Sequence, residues 1–457
     1  SCTYRAYYTE LDLTKLQRKM FMKRAHARRL AYNWACGVSK LVYETEKKSL
    51  GAFDLGYLLV IAKKSIDDIT KEDIEKAHSI AGDSFDITQF RVEWFNEVHS
   101  SCTNLALKDF HLALQAFFRR LKDKNNKEKP GFPRYKKYNE ATSFSARKNN
   151  FKVIDENHIR LSLGRNAIEK KKDGIIKVKE RGYLPVYGTH GIQFQDATFS
   201  IRAGRWWISI TTKEERHIVR ATGTSIGVDV GLKDVAVVSD GRKFAGTVLS
   251  YEKEQKRLRR LQKKFARQKE QLKIRQKTEQ NDGWKGSNIY KTRLAIGKCH
   301  LRINELRKHF LHHCSNEIVC RRQATVYRPE RIGIEDLSIK DMMNKDNSHK
   351  RIRQMFQQQS LSKLLHMLSY KAGWEGEDFV VANRFFPSTK LCSNCGWRYD
   401  DITSSERRWV CKECGSVNDR DENAGKNLKH YSDMAMCAVV EKRKNVSTKQ
   451  NQPLKNK

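Results

Sequence analysis

Two groups of residues in this chain have the types and spacing to do metal chemistry. Cys392-x2-Cys395, fifteen intervening residues and Cys411-x2-Cys414 place two cysteine pairs close together. Asp229 closes the apolar run "SIGVD", Glu335 closes a second run, "RIGIE", and Asp419, Asp421 and Glu422 crowd the stretch "CKECGSVNDRDENAGKNL". Four thiolates at this spacing close a tetrahedral zinc shell and leave no open position. One structural Zn²⁺ is therefore predicted on Cys392, Cys395, Cys411 and Cys414, and it needs none of the acids.

Each acid alone reads as a helix cap or a surface group. A carboxylate ending a buried strand is costly, however, unless it holds something cationic. Taken in chain order, a hairpin-forming sheet with Asp229, a strand-borne Glu335 and a helix-borne Asp421 form a ribonuclease-H-type arrangement. In such a site three carboxylates hold two hard divalent cations about 3.5–4 Å apart. Mg²⁺ suits oxygen ligands and keeps waters, one of which can become the nucleophile on phosphorus. No Gly-x4-Gly-Lys-Ser/Thr phosphate loop is present, which leaves ATP hydrolysis without support.

Several elements must position these groups. Helices are predicted over 10–40 and 98–121, the second with Ala106, Phe110, Ala113, Leu114, Phe117 and Leu121 on one face. Pro130, Gly131 and Pro133 then set a boundary. From 142 to 216, short runs such as "FKVI", "HIRLSL", "ATFSIR" and "RWWISITT" suggest a small barrel or curled sheet. "VAVVSDGRKFAG" carries an Asp240–Gly241 hairpin signal. A long cationic helix follows, with Leu258, Leu261, Phe265 and Leu272 as its packing stripe, and a further helix is predicted over 290–321. Strand 331–335, helix 361–372 and strand 378–386 lead to the cysteines. Asp421 opens a helix, and beyond about 430 the polar composition predicts a disordered basic tail.

The 457 residues carry 90 Lys+Arg against 53 Asp+Glu, a net +37. Solubility of a small domain needs a net charge of only about 2–8, so this field points to a polyanionic partner, nucleic acid first. No apolar run approaches the roughly 18–20 residues of a membrane span and no N-terminal signal region is visible, so a cytoplasmic, nucleoid-associated protein is expected. The seven remaining cysteines lack pairing rhythm and fit a reducing compartment.

Together, "GVDVGLKDVAVVSDG", "IGIEDLSIKDM", "FPSTKLCSNCG", "WVCKECG" and "DRDENAGKNL" resemble the RuvC motifs and inserted zinc ribbon of the TnpB family of transposon-associated nucleases. Upstream, "YNWA", "NLALKDFHLALQAFFRRLK", "KPGFPRYKK" and "GRWWISI" resemble TnpB segments in the right order, so that residues 1–430 are covered. The resemblance implies a multidomain α/β chain: an RNase H-like RuvC domain with an inserted zinc ribbon, a small β-barrel (the wedge) and a helical recognition insert. The corresponding spans are a first wedge strand at 1–9, a recognition domain at 10–135 and a wedge barrel at 136–220. The first RuvC segment, with its basic helices, is 221–386 and the ribbon is 387–418. The start of the final RuvC helix is 419–430, and 431–457 is its end plus the basic tail. The resemblance also implies an RNA-guided DNA endonuclease that cuts beside a short target-adjacent motif, with guide RNA and target double-stranded DNA as partners.

By motif position the catalytic, Mg²⁺-holding acids are Asp229, Glu335 and Asp421. Asp421 is preferred to Asp419 because the family's acid directly precedes the x-Asn-Ala stretch. Arg420 and Asn423 are implied as auxiliary residues near the scissile phosphate. Gly425 replaces the family's usual Ala, at a cost to helix stability of about 1 kcal/mol. Candidate nucleic-acid contacts are Gln115, Arg119, Arg120, Thr142 and Arg147, since such side chains reach base edges or phosphates. A compact type V CRISPR effector shares this chemistry. A guide-independent resolvase or transposase of the same core would need only about 150–200 residues, which disfavours it here. A non-enzymatic binder would not need the full acid set. A monomer is expected.

Overall fold

The computed structural model describes residues 2–123, 130–164, 170–215, 225–231, 234–245, 249–278, 287–319, 329–337, 360–403 and 406–450. The chain forms two compact units, residues 2–215 and 216–457.

The first unit contains β1 (Cys2–Asp12), α1 (Lys15–Glu46), α2 (Ala52–Ala62), α3 (Lys71–Ala81) and α4 (Ser100–Lys122). It continues with β2 (Ser143–Ala146), β3 (Phe151–Val153), β4 (His158–Leu161), β5 (Ile175–Val178), β6 (Ile192–Arg202) and β7 (Arg205–Glu215). The strands form one seven-stranded sheet in the order β2-β6-β7-β1-β5-β4-β3. β1 runs antiparallel along β7 from Cys2↔Glu215 to Glu10↔Trp207, then meets β5 at Leu11↔Val178. It thus joins the two halves of the sheet. Residues 10–12 are strand, where periodicity alone suggests helix, because Tyr7, Thr9 and Leu11 alternate into the core. The helix starts only after Thr14, whose hydroxyl accepts from the Gln17 N–H while the Gln17 amide oxygen accepts from the Thr14 N–H. Phe21 of α1 stands edge-on to Phe144, Phe199 and Trp206 and fills the curl of the sheet. A second core, including Tyr32, Leu55, Phe85, Phe95 and Phe110, lies among the helices.

The second unit contains β8 (Ile226–Asp229), β9 (Asp234–Val238), β10 (Lys243–Ala245), α5 (Leu249–Thr278), α6 (Ser287–Val319) and β11 (Arg331–Glu335). α7 (Leu361–Glu375), β12 (Asp378–Ala382), β13 (Arg408–Val410), β14 (Val417–Asp419) and α8 (Arg420–Gln450) complete it. Its main sheet has the order β10-β9-β8-β11-β12. β8, β9 and β10 are antiparallel, with Gly241 at φ +90° in the Asp-Gly turn. β11 runs parallel to β8, and β12 parallel to β11 after the α7 crossover. The carboxyl ends of β8 and β11 therefore emerge at the same edge of the sheet.

α8 lies directly on that sheet, and three glycines make this possible. A Cβ on Gly227 would stand 1.9 Å from the Gly425 carbonyl oxygen and 2.4 Å from the Lys429 nitrogen. One on Gly333 would stand 2.5 Å from the Leu428 carbonyl oxygen. A Cβ on Gly425 would stand 3.2–3.4 Å from the backbone of Ser239 and Val237. The intrinsic helix cost at Gly425 accompanies a close backbone approach that seats the helix.

α8 also runs past residue 430 to Gln450, where composition alone predicts disorder. No Gly or Pro interrupts 426–450, and its Lys, Glu and Gln residues are good helix formers. Residues 451–457 and the expected helix end at 320–321 lie outside the described residues. Among the described residues, no helix is long and apolar enough to cross a membrane.

Candidate functional site

The four cysteines meet in the short ribbon before α8. Their sulfur atoms all lie within 4.8 Å of one another, with Cys392 and Cys414 3.7 Å apart and Cys395 and Cys411 3.6 Å apart. Four sulfurs at the ~2.3 Å zinc–thiolate distance would be about 3.8 Å apart, so this donor set fits tetrahedral zinc. Gly396 and Gly415, both at positive φ, turn the two knuckles. The outer shell is polar: the Asn394 amide donates to the Cys414 sulfur at 3.6 Å and the Asn418 amide to Cys392 at 3.7 Å. Hydrogen bonds from the Ser416 side chain and backbone hold the Cys414 thiol down to about 5, ready to ligate as thiolate. Trp397, Tyr399 and Trp409 pack against the buried cysteines.

The acids gather at the sheet edge. Asp229 ends β8 and Glu335 ends β11, adjacent strands paired through Val228↔Ile334. Asp421 lies in the first turn of α8. Burial pushes the Asp229 carboxyl up to about 7, with added pressure from the negative charges of Glu335 and Asp421 and relief from Arg420. Burial also raises Glu335. Asp229 is thus within electrostatic reach of both Glu335 and Asp421. The three carboxylates do not converge as tightly as the thiolates: among the described residues, only the four cysteines form a group of three or more whose ligand atoms all lie within 4.8 Å.

Cations stand beside these like charges. Arg407 Nη1 donates to both oxygens of Asp421, at 3.1 and 3.2 Å. Lys243 lies 3.1 Å from Glu422 and 3.4 Å from Asp419. Asp419 Oδ1 accepts the N–H groups of Asp421 and Glu422, both at 3.2 Å. Asp419 therefore caps the helix, while Asp421 belongs to the acid group with Asp229. Arg407 is not legible in the sequence because nothing in "SSERRWVC" separates it from a surface arginine; only the antiparallel β13–β14 pairing carries it to the start of α8. Should the acid group cleave phosphodiesters, Arg407→Ala is expected to lower that cleavage by about 10²-fold, through loss of the cation paired with Asp421, while leaving the zinc content unchanged. Single-turnover cleavage and metal analysis check this.

Arg420 and Asn423 differ in their surroundings. Arg420 Nη1 donates to the Thr403 carbonyl at 3.2 Å and its charge acts on Asp229. Motif position puts Asn423 beside the scissile phosphate, but its side chain is buried and both halves of its amide are engaged by the ribbon backbone. Its polar atoms are committed to packing the helix against the knuckle.

In the first unit, Arg28, Arg29, Arg134, Lys136, Thr142 and Ser143 contribute to a cleft of about 450 Å³. Thr142 is the one candidate nucleic-acid residue that lines it. Arg119 is exposed on α4, while Gln115 and Arg120 on the same helix bond His111 and the Ala116 carbonyl. Arg147 is exposed just past β2.

Comparison with known proteins adds two family matches. Residues 209–346 match the "Probable transposase" family OrfB_IS605, and residues 362–428 match "Cas12f1-like, TNB domain". A "Putative RNA-guided DNA endonuclease" of Streptomyces pristinaespiralis is 30% identical over 228 residues, 50% of each chain. The Escherichia coli K12 "Putative RNA-guided DNA endonuclease InsQ" is 23% identical over 353 residues, 74% of this chain and 75% of that one. "TnpB-like protein MJ0751" of Methanocaldococcus jannaschii is 37% identical over 101 residues, 21% of this chain and 34% of that one. The chain spans about half the length of the first of these relatives. Among solved structures, the protein chain of a Cas12f1-sgRNA-target DNA complex aligns with a TM-score of 0.41 and 11% identity, covering 94% of this chain and 98% of that one. The chain is thus similar to the OrfB_IS605 family over residues 209–346 and to the Cas12f1-like TNB domain over residues 362–428.

Proposed function

We propose that this protein is an RNA-guided DNA endonuclease of the TnpB type that cuts target DNA beside a short adjacent motif. The observation that carries the proposal is that Asp229 and Glu335 end adjacent parallel strands while the charge of Asp421, at the start of α8, also acts on Asp229. The sheet order β10-β9-β8-β11-β12 supports reading 221–430 as an RNase H-like RuvC domain with the ribbon inserted before its last helix. The curled seven-stranded sheet would be the wedge and the helices of 10–135 the recognition insert.

Asp229, Glu335 and Asp421 would hold two Mg²⁺ ions, which supply Lewis acidity and an activated water for phosphodiester hydrolysis. The chain's own groups do the rest. Arg420 and Arg407 place positive charge beside the acids, suited to a phosphate arriving with its own negative charge. Lys243 holds Asp419 and Glu422, keeping the cap of α8 in position. The +37 charge suits a guide RNA and a target duplex, gripped through their backbones while base pairing supplies sequence. The cationic cleft with Thr142 is the proposed contact for the target-adjacent duplex, with Gln115, Arg119, Arg120 and Arg147 as outer contacts. We place the protein as a monomer in the cytoplasm, near the nucleoid.

The test is purification followed by sequencing of bound RNA. RNA of defined length should co-elute, and cutting of matched DNA should require Mg²⁺ and disappear after nuclease removal of that RNA. Undiminished cutting without RNA would replace this reading with a guide-independent resolvase.

A further inference from the structure

Asn423 and Asn427 lie one turn apart on the buried side of α8, and both reach into the ribbon. Asn423 Nδ2 donates to the Leu391 carbonyl at 2.6 Å, and its Oδ1 accepts the Ser393 N–H at 2.8 Å. Asn427 Nδ2 donates to the carbonyls of Leu391 and Ser388, both at 2.7 Å. Leu391 and Ser393 flank the zinc-site residue Cys392 on either side. The two asparagines are 1% and 4% exposed. Their partners are all backbone groups, so the carbonyls and the N–H dictate which way each amide must face.

A second connection joins the ribbon to the helix. β14 carries Val417–Asp419 out of the second knuckle and runs without a break into α8, and the Arg420 N–H donates to the Arg407 carbonyl at 2.8 Å. The first turn of α8, which bears Asp421, is therefore held by the ribbon through the chain itself and through two buried amides. Removing either amide would leave buried backbone partners unsatisfied, so the attachment is costly to break.

We infer that Asn423 and Asn427 are positioning residues that clamp the first cysteine knuckle to α8, so that closure of the thiolate site around zinc sets the position of Asp421 and Arg407. The link to Asp421 rests on the nuclease reading above; the clamp itself does not. Four thiolates drawn to one ion fix the knuckle, the knuckle presents the Leu391 carbonyl and the Ser393 N–H, and the asparagines fix the helix against them.

Asn427→Asp is nearly isosteric and turns an amide donor into a carboxylate facing two carbonyls. Two quantities are read on the full chain: zinc release to a chromogenic chelator, and the Mg²⁺ concentration at half-maximal cleavage. The variant should release zinc about tenfold faster and need several-fold more Mg²⁺, with a smaller change in kcat at saturating Mg²⁺. Zinc release equal to wild type overturns the clamp. Faster release with an unmoved Mg²⁺ midpoint overturns the transmission to Asp421. If Asn427→Asp does not fold, Asn427→Ala, which leaves the Asn423 pair in place, is read in the same way. Should wild type itself show no metal-dependent cutting, the nuclease reading fails, while the zinc-release comparison still decides the clamp.

Discussion

Asp229→Ala should abolish Mg²⁺-dependent cutting, a loss of about 10³-fold or more, while RNA binding stays close to wild type. Asp229 sits where two parallel strands end side by side, next to Glu335 and within the field of Asp421, so its removal takes away the carboxylate on which the other two act and, in the proposed reading, a metal ligand. In the proposed reading, guide binding would use cationic surfaces elsewhere and not this carboxylate. Single-turnover cleavage and a filter-binding assay separate the two effects; persistent cutting would remove Asp229 from the site.

The same residue carries a stability consequence of opposite sign. Its carboxyl is raised from 3.8 to about 7, so protonation is favoured by folding. The associated stability is fully present below about pH 4 and is lost as pH rises through 7. In metal-free protein, Asp229→Asn should therefore stabilise by about 1–2 kcal/mol at pH 8, after allowance for solvent access, and by little at pH 4. Urea midpoints at the two pH values check it. A variant that is dead in catalysis and firmer in folding is the signature of a carboxylate held among like charges for function.

Gly227→Ala is expected to be the most disruptive single methyl addition among the described glycines of the second unit. The new carbon would stand 1.9 Å from the Gly425 carbonyl oxygen, a backbone atom that can yield only if α8 moves off the sheet. A loss of about 4 kcal/mol or more follows, beyond the usual cost of overpacking. Protein that still folds should cut poorly, because displacing α8 displaces Asp421. Gly425→Ala is the control: its nearest contacts are 3.2–3.4 Å, and the helix gains propensity, so its urea midpoint should change little. Equal effects of the two substitutions would contradict the packing geometry.

The close seat of α8 also explains why Gly425 reads differently before and after folding. In the string "NAGKNL" it is a weak helix residue. In the folded unit it lies against the backbone of β9 and of Ser239 just beyond it. No local rule of propensity contains that information, because Gly227 and Gly425 are 198 positions apart. Asn423 shows the converse: position in a motif suggests a phosphate contact, and in the folded unit its buried amide is engaged by two ribbon backbone groups.

Some of the protein is legible from residue order alone because its causes are local. Cysteine spacing defines a four-thiolate shell, Asp-Gly makes a hairpin turn, apolar runs ending in acids mark strand ends, and a +37 chain attracts polyanions. Which acid caps α8 and which joins Asp229, that Arg407 reaches Asp421, that β1 bridges a seven-stranded sheet, and that three glycines let a helix touch two strands were decided only in three dimensions. Those features depend on strand pairing and close packing between segments remote in sequence, and such contacts exist only once the chain has brought them together.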